Sequence, residues 1–153
     1  EHLERDDESF DVVMSRVGEK DIFIAVAAVA DWRIANISEQ KLKKDADGNT
    51  PALQFEQNPD ILAEGAALPK RPYCVGFAAE AENRRQYGEV KRKKKNIPLL
   101  VGNIGHQTFG KDQNALVLFD EKGHTPLPRA DKQILARQLI AEIATRLGTT
   151  SVA

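Results

Sequence analysis

The sequence has a single cysteine, Cys74, so it can form no internal disulfide. That fits a reducing compartment, and a cytoplasmic location is expected. No apolar run approaches the roughly 20 residues of a membrane-spanning helix. The opening EHLERDDESFDVV is acidic and lacks the basic and apolar parts of a secretory signal. Charge of one sign is also missing: 22 Lys and Arg stand against 23 Asp and Glu, a formal net charge of -1. This gives no global attraction to nucleic acid or to an acidic membrane. There is no GxGxxG, no Walker A loop, and no Cys or His spacing suited to zinc. His2, His106 and His124 are dispersed, and no serine–histidine pairing is recognisable. Internal repeats and low-complexity segments are absent as well.

What remains is a globular composition: 153 residues, 41% hydrophobic and 29% charged, enough for one domain with a core. The chain opens without Met, and a fragment of a longer protein is expected. Asp21–Arg33 organises the rest. Ile22, Phe23, Ile24 and Val26 read as a strand buried on both faces, as in a parallel sheet between helices. Ala25, Ala27, Ala28 and Ala30 then leave room for a close approach, and Asp31 closes the run. Ligands of open parallel sheets sit beyond the carboxyl ends of the strands. Taken alone, the stretch reads more readily as a core strand with Asp31 capping a turn.

A helix over 8–17 is expected before it, capped by Ser9 and Gly18, with Phe10, Val13, Met14 and Val17 on one face. Residues 32–37 read as irregular and 45–49 as a turn. Ala52–Gln57 alternates like a short strand. Asn58-Pro59-Asp60-Ile61 has the form of a helix start, with Asn58 as N-cap and Pro59 at the first helical position. Further buried strands are expected at 72–79, 98–102 and 114–119, an edge strand at 125–127, and a loop over 103–113. A charged surface helix over 80–95 and a final amphipathic helix over 131–147 complete the pattern. The last helix should turn Ile134, Leu135, Leu139, Ile143 and Leu147 inward. Strands alternating with helices predict an α/β Rossmann-like three-layer sandwich with a mostly parallel sheet. One or two further strands are expected before the first.

Three local features suit phosphate chemistry, and each has a plain structural alternative. Lys41, Lys43 and Lys44 crowd positive charge in a loop, as a flap over a polyphosphate or as a solvated charge run. Lys91 and Lys95 share a helix face within Lys91–Lys95, where cations also favour the helix dipole. The start at Asn58–Ile61 offers N–H groups to an anion, or is simply a well-made cap.

AAVADWR (27–33), KLKK (41–44), NPDI (58–61), GFAAE (76–80), KRKKKN (91–96), Asn103 after a strand and NALVLF (114–119) occur in that order. Together they resemble bacterial phosphopantothenate–cysteine ligase, across nearly all of residues 10–147. This resemblance implies coenzyme A biosynthesis. The carboxylate of 4'-phosphopantothenate attacks the α-phosphate of CTP, releasing pyrophosphate, and the amine of L-cysteine then displaces CMP. It implies a catalytic Lys41 and a CTP site of Ala25, Val26, Ala27, Asp31, Lys41, Asn58, Pro59, Asp60, Ile61, Phe77, Lys91 and Lys95. Mg2+ accompanies the nucleotide, with metal ligands left open. The resemblance further implies a homodimer with Trp32 at its interface, and fusion to a decarboxylase domain that binds FMN. The family's glycine-rich opening segment has no match here, so 1–153 is expected to be a partial ligase domain that binds CTP without completing ligation alone. The alternative is a non-catalytic nucleotide- or polyanion-binding module. Nucleic-acid binding through Lys91–Lys95 is disfavoured, because no aromatics interleave the lysines.

Overall fold

The computed structural model describes residues 6–36, 52–80, 84–104 and 112–150. Among the described residues four helices and seven strands follow one another as α1 (Asp6–Val17), β1 (Ile22–Ala25), β2 (Trp32–Ile34), β3 (Phe55–Gln57), α2 (Ile61–Ala67), β4 (Tyr73–Glu80), α3 (Arg84–Lys94), β5 (Leu99–Ile104), β6 (Gln113–Asp120), β7 (Gly123–Asp131) and α4 (Lys132–Thr150). Five strands form one sheet in the order β1-β4-β5-β6-β7. β1, β4 and β5 pair parallel, while β6 runs antiparallel to both its neighbours, so four of the five strands point the same way.

Alternation within the strands divides the core by face. Leu62, Ala66, Cys74, Ile97, Leu100 and Phe119 pack together where α2 and α3 cover the sheet. On the other face, Leu135, Leu139 and Ile143 of α4 pack against Val75, Leu99, Val101, Leu116 and Leu118. Helices on both faces of a mainly parallel sheet make the expected Rossmann-like three-layer sandwich.

Several local expectations are corrected. β1 is not buried on both faces. Among the described residues it is an edge strand paired with β4 alone, and Phe23 and Ile24, which point to opposite faces, are each half-buried. The first helix begins at Asp6, placing Ser9 inside it, and Gly18 does not take the left-handed cap conformation. Residues 32–34 are not irregular: they form β2, paired antiparallel with β3 through Trp32–Gln57, Arg33–Glu56 and Ile34–Phe55. Asn103 lies in β5 rather than a loop. Ile134 is 50% exposed, because the inward line of α4 runs through Leu135, Leu139 and Ile143. The edge strand expected at 125–127 is longer, and its Pro126 and Pro128 suit a strand bonded on one side only. The lysine-rich segment 41–44 lies outside the described residues.

Candidate functional site

Gly76 of β4 lies opposite Ala25 of β1. A Cβ on Gly76 would meet Leu62 Cδ2 at 2.5 Å and Ile97 Cδ1 at 3.0 Å. The missing side chain thus lets the first turn of α2 and the chain leaving α3 close over β4, beside the end of β1. Asp60 precedes Leu62 by two residues and Lys95 precedes Ile97 by two. The Lys95 ammonium and the Asp60 carboxylate meet here as an ion pair between segments 35 residues apart.

Asp60, not Asn58, is the N-cap of α2: its Oδ1 accepts from Ala63 N at 3.1 Å. Burial works to raise the Asp60 pKa. The hydrogen bonds from Lys95 and the Ala63 N–H, helped by the Lys95 charge and the Leu62 N–H, outweigh it and hold the carboxyl below its ordinary value. Asn58 has a different task. It is buried, its Nδ2 donates to Ala30 O at 2.8 Å, and its backbone N–H donates to Asp31 O at 2.9 Å. Arg33 Nη1 reaches Asn58 Oδ1 at 3.4 Å, while Arg33 Nε pairs with Glu56 at 2.6 Å. Asn58 therefore ties the small-residue stretch after β1 to the approach to α2.

The structure thus gathers Ala25, Asn58, Pro59, Asp60, Ile61 and Lys95 around one edge of the sandwich. Val26, Ala27 and Asp31 continue from β1 with exposed side chains. Lys91 is half-buried one turn before Lys95, and its carbonyl accepts from Lys95 N at 3.0 Å. Phe77 is separated from this group: it packs with the cluster under α4, on the opposite face. Lys41 lies outside the described residues.

Sequence reasoning did not single out Arg92 or Asn96. Arg92 Nη1 donates to Ile97 O at 3.1 Å, and its Nε is buried with no hydrogen-bond partner among the described residues. Asn96 has φ 51°, the left-handed conformation that ends many helices. An Asn directly after the basic run was the available signal. Asn103 Oδ1 is likewise buried without a partner among the described residues, which leaves a polar atom to be satisfied. Burial pushes the Cys74 thiol pKa up, only partly opposed by the Arg71 charge, so the thiol stays protonated and unreactive. Among the described residues, no three His, Cys, Asp or Glu side chains converge as a metal site. No helix among them is long and apolar enough to cross a membrane. A shallow, open depression between α1 and β1, lined by Val12, Val13, Arg16, Val17, Lys20, Ile22 and Phe23, contains none of the predicted site residues.

The family described as DNA/pantothenate metabolism flavoprotein C-terminal domain matches residues 2–147. The Coenzyme A biosynthesis bifunctional protein CoaBC of Escherichia coli (strain K12) is 43% identical over 139 residues, which are 88% of this chain and 34% of that protein. Its counterpart in Vibrio vulnificus (strain CMCP6) is 39% identical over 145 residues, 92% of this chain and 36% of that protein. The chain spans about a third of the length of these curated relatives. Among solved structures, the C-terminal domain of Coenzyme A biosynthesis bifunctional protein CoaBC superposes with a TM-score of 0.76 over 96% of this chain and 65% of that chain, at 24% identity. The DNA/Pantothenate Metabolism Flavoprotein from Streptococcus pneumoniae gives 0.75 at 14% identity, over 95% of this chain and 72% of that one. Both are likenesses of fold.

Proposed function

The chain belongs to the DNA/pantothenate metabolism flavoprotein C-terminal domain family, and from that premise we propose that it supplies the CTP-binding side of a phosphopantothenate–cysteine ligase in coenzyme A biosynthesis. The observation that carries this reading is the convergence of the small residues ending β1, the N-cap of α2 and Lys95 of the basic run. Small residues admit a nucleotide close to the backbone. Lys91 and Lys95 share a helix face and are suited to meet its phosphates.

The reaction asks for positioning and charge neutralisation rather than a protein nucleophile. The carboxylate oxygen of 4'-phosphopantothenate bonds to the α-phosphorus of CTP as the bond to pyrophosphate breaks. The cysteine amine then bonds to the acyl carbon, the acyl–oxygen bond to CMP breaks, and the amine loses a proton. Lys91 and Lys95 hold the anionic phosphates, and Lys41 is assigned the catalytic cation of the flap. Asp31 and Asn58–Ile61 border the nucleotide, whereas Phe77, packed on the opposite face of the sheet, is given no contact with it. Mg2+ would accompany the nucleotide substrate, held by its phosphates, with protein ligands left open. FMN belongs to the decarboxylase portion of the full-length protein, and no residue of this chain is assigned to it. The apolar side chains of β2 and β3, with Trp32 61% and Phe55 64% exposed, form the homodimer contact.

Calorimetric titration with CTP, ATP, GTP and UTP in magnesium buffer tests the reading. CTP should bind selectively. Lys95→Gln and Lys91→Gln should each weaken it about tenfold or more, the loss of one charge-assisted hydrogen bond. Equal affinity for all four nucleotides would instead support the polyanion-binding alternative, and no binding would remove the nucleotide reading.

A further inference from the structure

The end of α3 turns within a very short span. Lys95 must face Asp60, while Ile97 must be buried against Leu62 and the open backbone of Gly76. If the helix simply continued, successive side chains would rotate by about 100° each, with no reversal of the chain toward the sheet. The backbone bonds show how the reversal is made. Ile97 N donates to Arg92 O at 3.2 Å and Asn96 N donates to Lys93 O at 3.1 Å, the paired six-to-one and five-to-two bonds of a Schellman cap. The cap requires a left-handed residue at Asn96. Among the described residues it is the one non-glycine residue with positive φ. Asn tolerates this conformation better than most side chains do, and a β-branched residue tolerates it poorly. The Arg92 guanidinium closes the turn from the other side through its bond to Ile97 O.

We propose that Asn96 is a positioning residue: its left-handed backbone turns the chain so that Ile97 seats against Leu62, and this anchors the end of α3 with Lys95 held at Asp60 and thereby at the nucleotide phosphates. The last step rests on the nucleotide reading above; the holding of Lys95 at Asp60 does not. Asn96 is exposed, so its side chain fills no core. The conformation, and not the amide, is what the site needs.

The test compares the protein with Asn96→Val and Asn96→Gly by two readouts. The first is the Asp60 carboxyl titration followed by 13C NMR, which reports whether Lys95 is in place without any nucleotide. The second is CTP affinity by calorimetry. Asn96→Val should move the Asp60 titration up toward the ordinary carboxylate value and weaken CTP about tenfold, equivalent to ~1.4 kcal/mol, within the cost of the left-handed conformation for an ordinary side chain. Asn96→Gly should keep both readouts at wild-type values. An Asn96→Val protein that loses thermal stability but keeps the low Asp60 titration and full CTP affinity would show a helix cap and nothing more, overturning the proposal. A wild-type protein that binds no CTP would overturn the nucleotide reading, and the Asp60 titration would still decide whether Asn96 places Lys95.

Discussion

Asp60 caps α2 with one carboxylate oxygen and meets Lys95 with the other. Removing it as Asp60→Ala should cost about 1 kcal/mol through the lost cap; the partly exposed ion pair adds little, because solvent screens it. The pH dependence has a definite sign. The folded-state pKa lies below the ordinary value, so this contribution is complete above about pH 4 and is lost as pH falls through the lowered folded value. Urea unfolding at pH 7 and at pH 2.5 should therefore show the wild-type advantage over Asp60→Asn shrinking at the acid end. Gly88 gives a second single-residue test. Its Cβ would stand 2.5 Å from Phe119 Cε2, inside a buried contact. A glycine-to-alanine change in a helix ordinarily gains close to 1 kcal/mol, whereas overpacking costs about 1–3 kcal/mol. Because the neighbour is a fully buried ring, the steric effect should win, and Gly88→Ala should lower the urea midpoint. Neither effect was legible in the sequence, where Gly88 is one small residue within a charged helix.

At the scale of elements, periodicity found the strands and helices well and their surroundings less well. The apolar runs at 72–79, 98–102 and 114–119 became β4, β5 and β6, because residues apolar on both alternations have few alternatives to a covered sheet. The same reasoning misjudged β1. Pairing on one side only is a property of the sheet and not of the run, so an equally apolar strand came to lie at an edge. α4 was expected to bury both Ile134 and Leu135, and the packed line chose Leu135. Leu139→Ala should cost about 2–5 kcal/mol through loss of buried contacts, while Ile140→Ala, at a 54% exposed position, should stay within about 0.5 kcal/mol. Chemical denaturation of the two variants measures the contrast on one helix.

For the whole molecule, β2 and β3 expose Trp32 and Phe55 as an apolar surface. If it joins two copies, Trp32→Glu combined with Phe55→Glu should convert a dimeric mass to a monomeric one in light scattering while leaving the helical circular dichroism unchanged. A monomeric wild type would end that reading.

The sequence by itself determined the α/β class, the order of the elements, the basic run on one helix face and the family whose motifs it carries. These are set by local spacing and residue type. Only the tertiary structure decided that Asp60 rather than Asn58 caps α2, that residues 32–34 pair with 55–57, that Phe77 points away from Asp60, and that Lys95 meets a carboxylate 35 positions upstream. Each of these depends on which distant segments meet, and periodicity carries no information about distance between segments.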